Sequence, residues 1–214
     1  MTRSSWFSRG DEPICALCHC SVSSGRIRCM PAFVRKTRKS WDDPGHAHFL
    51  TYSCFQRLPL LTRERTRRWV AEAMSALRRD HVVDIWAYVI MPEHVHVLIY
   101  PRHDPYEMRR SLAALKRPVS AAAREHLVRR GDTRWLDRLT VQYPSRRVFR
   151  FWQPGGGFDH NIFREKTVRA VINYIHENPV RRGLVRTPAD WVWSSARFWE
   201  GYSDVPLRMD EPFV

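Results

Sequence analysis

The sequence predicts an α+β protein in which antiparallel strands carry the chemistry and helices with apolar stripes pack on them. Three observations lead to this fold class. Residues 82–90 and 94–100 are β-branched and aromatic runs separated by Met91-Pro92-Glu93, a tight turn whose proline cannot donate to a ladder. That pair reads as a hairpin. Val168, Val171, Ile172 and Ile175 recur at helical spacing before Pro179, and Trp69, Val70, Ala73 and Leu77 do the same ahead of the hairpin.

The elements follow in order. Residues 1–44 are rich in Ser, Arg and Cys without an apolar period, and read as a flexible basic arm. Cys15, Cys18, Cys20 and Cys29 lie there, with His19. A zinc knuckle is weighed against a disordered tail, and the non-standard spacing favours the tail. Met30 is an alternative start. Residues 46–55 form an alternating strand with a histidine pair of its own, His46 and His48, a decoy or a helper for the pair in the hairpin. Thr62 caps a helix running to about Arg79. After the hairpin, a helix from Asp104 carries Met108, Leu112 and Leu115 inward, with Arg109, Arg110, Lys116 and Arg117 on its polar side, until Pro118 interrupts or ends it. Residues 124–147 are strongly basic, with Trp135 and Leu139 as apolar anchors. A short strand covers 148–152, and Pro154-Gly-Gly-Gly157 is a loop that lets backbone approach a ligand. The last helix runs from about Glu165 to Asn178 and stops at Pro179. Residues 201–214 form a C-terminal tail.

The charge points to a partner. The chain has 214 residues, with 36 Lys and Arg against 22 Asp and Glu, a formal net charge of +14. Nucleic acid is the first expectation and an acidic membrane surface the second. No stretch is long and apolar enough to span a bilayer, and no hydrophobic run follows the charges of residues 1–10. The expected setting is the cytoplasm, nucleoid-associated and with reduced thiols.

His94 and His96 are separated by one residue on a strand, so both project from one face while Val95 and Val97 enter the opposite layer. Two imidazoles on a rigid strand make a partial site for a divalent metal, although an isolated pair is more often a pair of ordinary surface histidines. Tyr174 and Asn178, four residues apart, share a helix face about a quarter turn from the apolar stripe. Their unremarkable readings are a boundary aromatic and a helix cap. Together with the histidines they describe one chemistry. A cation held by His94, His96 and the Asn178 amide oxygen polarises a phosphodiester, and the Tyr174 phenol attacks the phosphorus. Oxygen and imidazole ligation suits Mg²⁺ or Mn²⁺.

His94-Val-His96, with Tyr174-Ile-His-Glu-Asn-Pro-Val-Arg-Arg-Gly-Leu-Val185, resembles the single-tyrosine HUH transposases. Phe151-Trp-Gln-Pro-Gly-Gly-Gly-Phe-Asp-His160 and Asp190-Trp-Val-Trp-Ser-Ser-Ala196 resemble more narrowly the REP-associated tyrosine transposases. The resemblance covers about residues 46–199, within a domain bounded at 45–200. It implies a ferredoxin-like antiparallel sheet with packed helices. It implies nicking and joining of single-stranded DNA, with hairpin-forming repeats as the recognised elements. Carried over, Tyr174 is the nucleophile, forming a 5′-phosphotyrosine and a departing 3′-OH. His94 and His96 are metal ligands and Asn178 takes the third position. Arg109, Arg110, Lys116, Arg117, Arg181 and Arg182 are the candidate DNA-binding residues. A homodimer that exchanges the tyrosine helix is also implied, and the glycines before that helix would allow it. The competing readings are a DNA-hairpin-binding protein with little catalysis and a metal phosphodiesterase that uses water.

Overall fold

The structure, a computed structural model, describes residues 42–80 and 82–212. The element order is β1 (Ala47–Ser53), α1 (Glu64–Asp80), β2 (Val83–Ile90), β3 (His94–Pro101), α2 (Met108–Arg129), α3 (Thr133–Arg138), β4 (Thr140–Tyr143), β5 (Arg146–Phe149), β6 (Phe158–Ile162), α4 (Glu165–Arg181) and α5 (Ala196–Trp199). Strands β2, β3, β1 and β6 form one sheet in that order, with every neighbouring pair antiparallel. Strand, helix, hairpin, helix and returning strand give the ferredoxin-like split arrangement that the resemblance implies. The β4–β5 hairpin and α3 are an insertion between α2 and β6.

Side-chain alternation sorts the core into two layers. On one face Leu50, Tyr52, Val95, Val97 and Ile99 pack with Met74 and Leu77 of α1 and Leu112 and Leu115 of α2. On the other, Ala47, Phe49, Val89 and Leu98 meet the Val168, Val171, Ile172 and Ile175 stripe of α4. Each of those aliphatic side chains contributes about 1.5–3 kcal/mol on burial. Because β1 is central and covered on both faces, it is buried almost throughout rather than alternating.

Several boundaries differ from the sequence reading. Thr62 does not cap α1: its hydroxyl donates to the Pro59 carbonyl, and the helix starts at Glu64. α2 begins at Met108 rather than Asp104, and Tyr106 is occupied in donating to the Asp43 carbonyl. Neither Pro118 nor Pro179 ends its helix; both lie inside. The apolar face continues past Pro118 through the buried Val119 and Ala123, so packing outweighs one lost backbone bond. α4 continues to Arg181 and stops where Gly183 takes a left-handed conformation, φ +66°. Strand β5 ends at Phe149, and Trp152 makes only an isolated bridge to Cys54. The sequence pattern assigns no strand to residues 158–162, where the structure has β6. The cysteine and arm readings of residues 1–41 lie outside the described residues.

Strand β2 is an edge, and the C-terminal segment covers it. The Ile90 N–H donates to the Trp193 carbonyl at 2.8 Å and Ser195 N–H to the Tyr88 carbonyl at 3.0 Å. The buried Ser195 hydroxyl accepts from Tyr88 N–H at 2.9 Å. Farther along, Asp210 N–H donates to the Ile85 carbonyl and the Asp210 carboxylate accepts from Ile85 N–H. A covered edge cannot recruit another strand. Leu207 and Met209 are buried in the core beside it. Among the described residues no helix is long and apolar enough to cross a membrane.

Asp210 also binds Arg78 at 2.5 Å and lies beside Arg102. Burial would raise its pKa, but the Arg78 hydrogen bond, the Ile85 N–H and both guanidinium charges outweigh that and lower it. A carboxylate lowered in the fold adds stability above its unfolded pKa of about 3.9 and loses it as pH falls through the folded value. Asp210→Asn is expected to cost about 1–3 kcal/mol at neutral pH. It should also flatten the acid limb of the stability curve below about pH 4, as read from urea unfolding across a pH series.

Candidate active site

His94 and His96 project from the α4 face of β3, as alternation requires. Their Nε2 atoms face each other at 3.0 Å. The outer nitrogen of each ring is anchored. His94 Nδ1 lies 3.0 Å from Glu93 Oε1, and since a carboxylate only accepts, the ring donates from Nδ1. In its neutral form that leaves the Nε2 lone pair turned inward. His96 Nδ1 bonds the Thr51 hydroxyl at 2.7 Å, and Thr51 is its register partner on β1.

Burial, reinforced by His94 and Arg181 and opposed in part by the hydrogen bond with Asn178, pulls the His96 pKa well below its ordinary value. His96 is therefore a neutral imidazole near pH 7. The His94 hydrogen bond and then Arg182 hold Glu93 down at about 2, against a burial effect in the other direction. Arg182 donates to Glu93 Oε1 at 2.7 Å, tying the end of α4 to the start of β3.

α4 brings Tyr174 and Asn178 to the same place. The Tyr174 ring stands edge-on to His96 at 5.6 Å between centroids and to Phe49 at 5.9 Å, with the Arg181 guanidinium 5.1 Å over it. Asn178 donates its amide nitrogen to the Tyr174 carbonyl at 2.7 Å. Its amide oxygen is thereby the atom left for the histidine side. Asn178 is buried inside the helix and is not the C-terminal cap; Arg182 holds that position.

Among the described residues no three or more His, Cys, Asp and Glu side chains gather in a metal-binding cluster. A cation here would therefore take two imidazole nitrogens and an amide oxygen. The converging Nε2 atoms, each ring held from behind, fit such a group. The donor set suits a divalent ion that accepts mixed nitrogen and oxygen ligands.

The second histidine pair is elsewhere. His48 is fully buried on the opposite face, between Asp159 at 2.8 Å and the Tyr106 hydroxyl at 2.7 Å. His46 stacks on Phe163. The basic candidates also divide. Arg181 and Arg182 flank the site, while Arg109, Arg110, Lys116 and Arg117 lie on α2, which packs on the other side of the sheet. Arg109 and Arg110 are exposed and paired with Glu107. Lys116 donates to the Gln153 and Gly155 carbonyls, and burial, then Arg150, lowers its pKa to about 8. It holds the glycine loop in place. A cavity of about 490 Å³, lined by Asn173, His176, Glu177 and Trp199, contains none of the site residues.

Thr51, Glu93 and Phe49 complete the site and were not singled out in the sequence. Glu93 was visible as the neighbour of His94. Thr51 and Phe49 depend on the β1–β3 register, which leaves no local signal.

No protein-family model matches the chain. It is 27% identical over 141 residues to the REP-associated tyrosine transposase of Escherichia coli K12, covering 65% of this chain and 69% of that protein. It is 23% identical over 172 residues to a candidate REP-associated tyrosine transposase of Haemophilus influenzae Rd, covering 71% and 90%. A solved REP-associated tyrosine transposase, bound to a REP hairpin, has the same fold: the TM-score is 0.59 at 21% identity, over 84% of this chain and 94% of that one.

Gly157 ties the glycine loop to this site. Its φ is +76°, and a Cβ there would collide with the carbonyl oxygen of Thr51, the residue that anchors His96. Gly157→Ala is expected to destabilise the fold by more than about 1 kcal/mol, with the histidine resonances near Thr51 shifted in NMR spectra. An unchanged melting curve with unchanged histidine signals would contradict this account.

Proposed function

We propose that this chain, similar in sequence and fold to the REP-associated tyrosine transposases, nicks and joins single-stranded DNA through Tyr174, with hairpin-forming repeat DNA as its target. The observation that carries the reading is that α4 brings the Tyr174 ring to 5.6 Å from the His96 ring and the Asn178 side chain into hydrogen bond with His96, whose Nε2 converges with that of His94. The relatives' names and the hairpin bound to the solved relative support the choice of DNA. In this reading residues 45–200 are the catalytic domain.

His94, His96 and Asn178 would hold Mg²⁺ or Mn²⁺. Bound there, the ion would neutralise charge on a phosphate oxygen and favour the ionised form of a nearby phenol. The chain's own groups do the rest. The Tyr174 oxygen attacks phosphorus and forms a tyrosyl phosphodiester. The bond from phosphorus to the 3′ oxygen breaks, and that oxygen takes up a proton to leave as a 3′-OH. Joining reverses these steps with a 3′-OH as the attacking group. Arg181 places positive charge over the phenol ring, where it attracts a phosphate. Neutral His96 carries a single ring proton, so with Nδ1 donating to Thr51 its Nε2 lone pair would be free to bind the ion. Glu93 and Thr51 fix the orientations of the two imidazoles.

The decisive experiment incubates the protein with single-stranded repeat DNA and Mg²⁺ and runs a denaturing gel. The wild type should form an adduct that survives denaturation. Tyr174→Phe removes one hydroxyl and little packing area, so it should fold and bind hairpin DNA but form neither adduct nor cleaved strand. Cleavage by Tyr174→Phe at a comparable rate would assign the nucleophile to water or another side chain and sink this reading. His94→Ala and His96→Ala should lose cleavage and keep most DNA affinity, since phosphate contacts are many; equal loss of binding would make the histidines structural. Affinity should also fall steeply with salt, by a log–log slope of about −0.7 per neutralised phosphate on single strands. A flat titration would remove the electrostatic part of the proposal.

A further inference from the structure

The sheet face that carries the histidine pair extends beyond the helix that covers it. Cross-strand register runs from His96 to Thr51 on β1 and from Thr51 to Phe158 on β6, and the next row runs Leu98, Phe49, His160. Residues in register share a face, so Phe158 and His160 belong to the same surface as His96. There they are uncovered: Phe158 is 40% exposed, and His160 is exposed beside it. Their rings are close to parallel, 16° apart in plane and 6.2 Å between centroids.

This surface is continuous with the candidate site. Phe49 meets the Phe158 ring edge-on at 5.9 Å and the Tyr174 ring edge-on at 5.9 Å. Two strand spacings, about 10 Å, separate the backbones of Phe158 and His96. Gly155, Gly156 and Gly157, all exposed, precede Phe158 and present no side chain to an approaching strand. The surroundings are cationic, with Arg164 following β6 and Arg181 over Tyr174. Flat exposed rings on a sheet beside guanidinium groups suit a ligand with a π-face and a polyanionic backbone, which is an unpaired nucleotide.

We infer that Phe158 and His160 form a stacking platform for an unpaired base flanking the phosphodiester that Tyr174 acts on. The inference rests on the single-strand reading above and assigns its base-binding surface. A paired base is already stacked on its neighbours and cannot lie on this face without being unpaired, so the platform also selects single strands.

The test uses the full chain and hairpin oligonucleotides whose unpaired flank carries 2-aminopurine at successive positions. Stacking quenches the fluorophore, and the wild type should quench it at one or two flank positions. Phe158→Ala should abolish that quenching and lower affinity for the flanked hairpin about 5- to 150-fold, the usual range for losing one stacked base. The slope against salt and the affinity for a hairpin without the flank should stay unchanged. Phe158→Trp should restore quenching, and His160→Ala should weaken it. Persistent quenching in Phe158→Ala overturns the platform, as does an equal loss of affinity for the flankless hairpin, which would mark Phe158 as structural. The denaturing gel separates this outcome from the parent proposal. Flank quenching without a wild-type adduct refutes the nucleophile and leaves the platform; an adduct with no Phe158-dependent quenching does the reverse.

Discussion

Strand β3 must serve two layers at once, and the rest of the molecule depends on that constraint. Its odd-numbered residues Val95, Val97 and Ile99 fill the core under α1 and α2. Its even-numbered residues turn His94, His96 and Leu98 toward α4. A shift of one residue would send the histidines into the aliphatic layer and the valines to the site. Burial of that aliphatic layer therefore holds the two imidazoles where they are. The register with β1 then supplies Thr51 behind His96 and Phe49 beside it.

The second component is the docking of α4. Its apolar stripe supplies the adhesion, but a stripe alone allows sliding and rotation. Polar contacts remove that freedom. Arg182 joins Glu93 at the head of β3, and His176 joins Ser195 at 2.8 Å, where the C-terminal segment covers the edge of β2. The same segments that protect the sheet edge thus set the pose of the tyrosine helix. Burial lowers the His176 pKa to about 4, so the ring stays neutral at neutral pH. The two prolines inside α2 and α4 are tolerated because the buried faces on either side of them are continuous.

Electrostatics separate the two histidine pairs more sharply than sequence spacing does. His48 is enclosed with Asp159 and Tyr106, so both of its nitrogens are occupied by protein groups. In the His94 and His96 pair Glu93 and Thr51 hold the outer nitrogens, while the inner ones converge on each other and on the Asn178 side chain. That difference gives His48 a structural role and leaves the converging nitrogens of His94 and His96 as the pair on which the proposed function draws.

The sequence by itself determined the hairpin, the face shared by His94 and His96, the apolar stripe of α4 and the proximity of Tyr174 to Asn178. All of these follow from local periodicity, two residues in a strand and 3.6 in a helix. Only the tertiary structure decided the partners that lie far apart in the chain. Thr51 meets His96 across 45 residues and Arg182 meets Glu93 across 89, and neither pairing leaves a local trace. Strand β6 was missed for the same reason: Phe158-Asp-His-Asn-Ile162 is weakly strand-like and is held by pairing with β1. α2 runs through Pro118 and α4 through Pro179 because the local rule about a missing N–H loses to burial on both sides. Which basic residues flank the site was likewise settled by layer: Arg181 and Arg182 share a helix with Tyr174, and those of α2 pack across the sheet. Periodicity assigns a face to each side chain, but only the docked fold decides what that face meets.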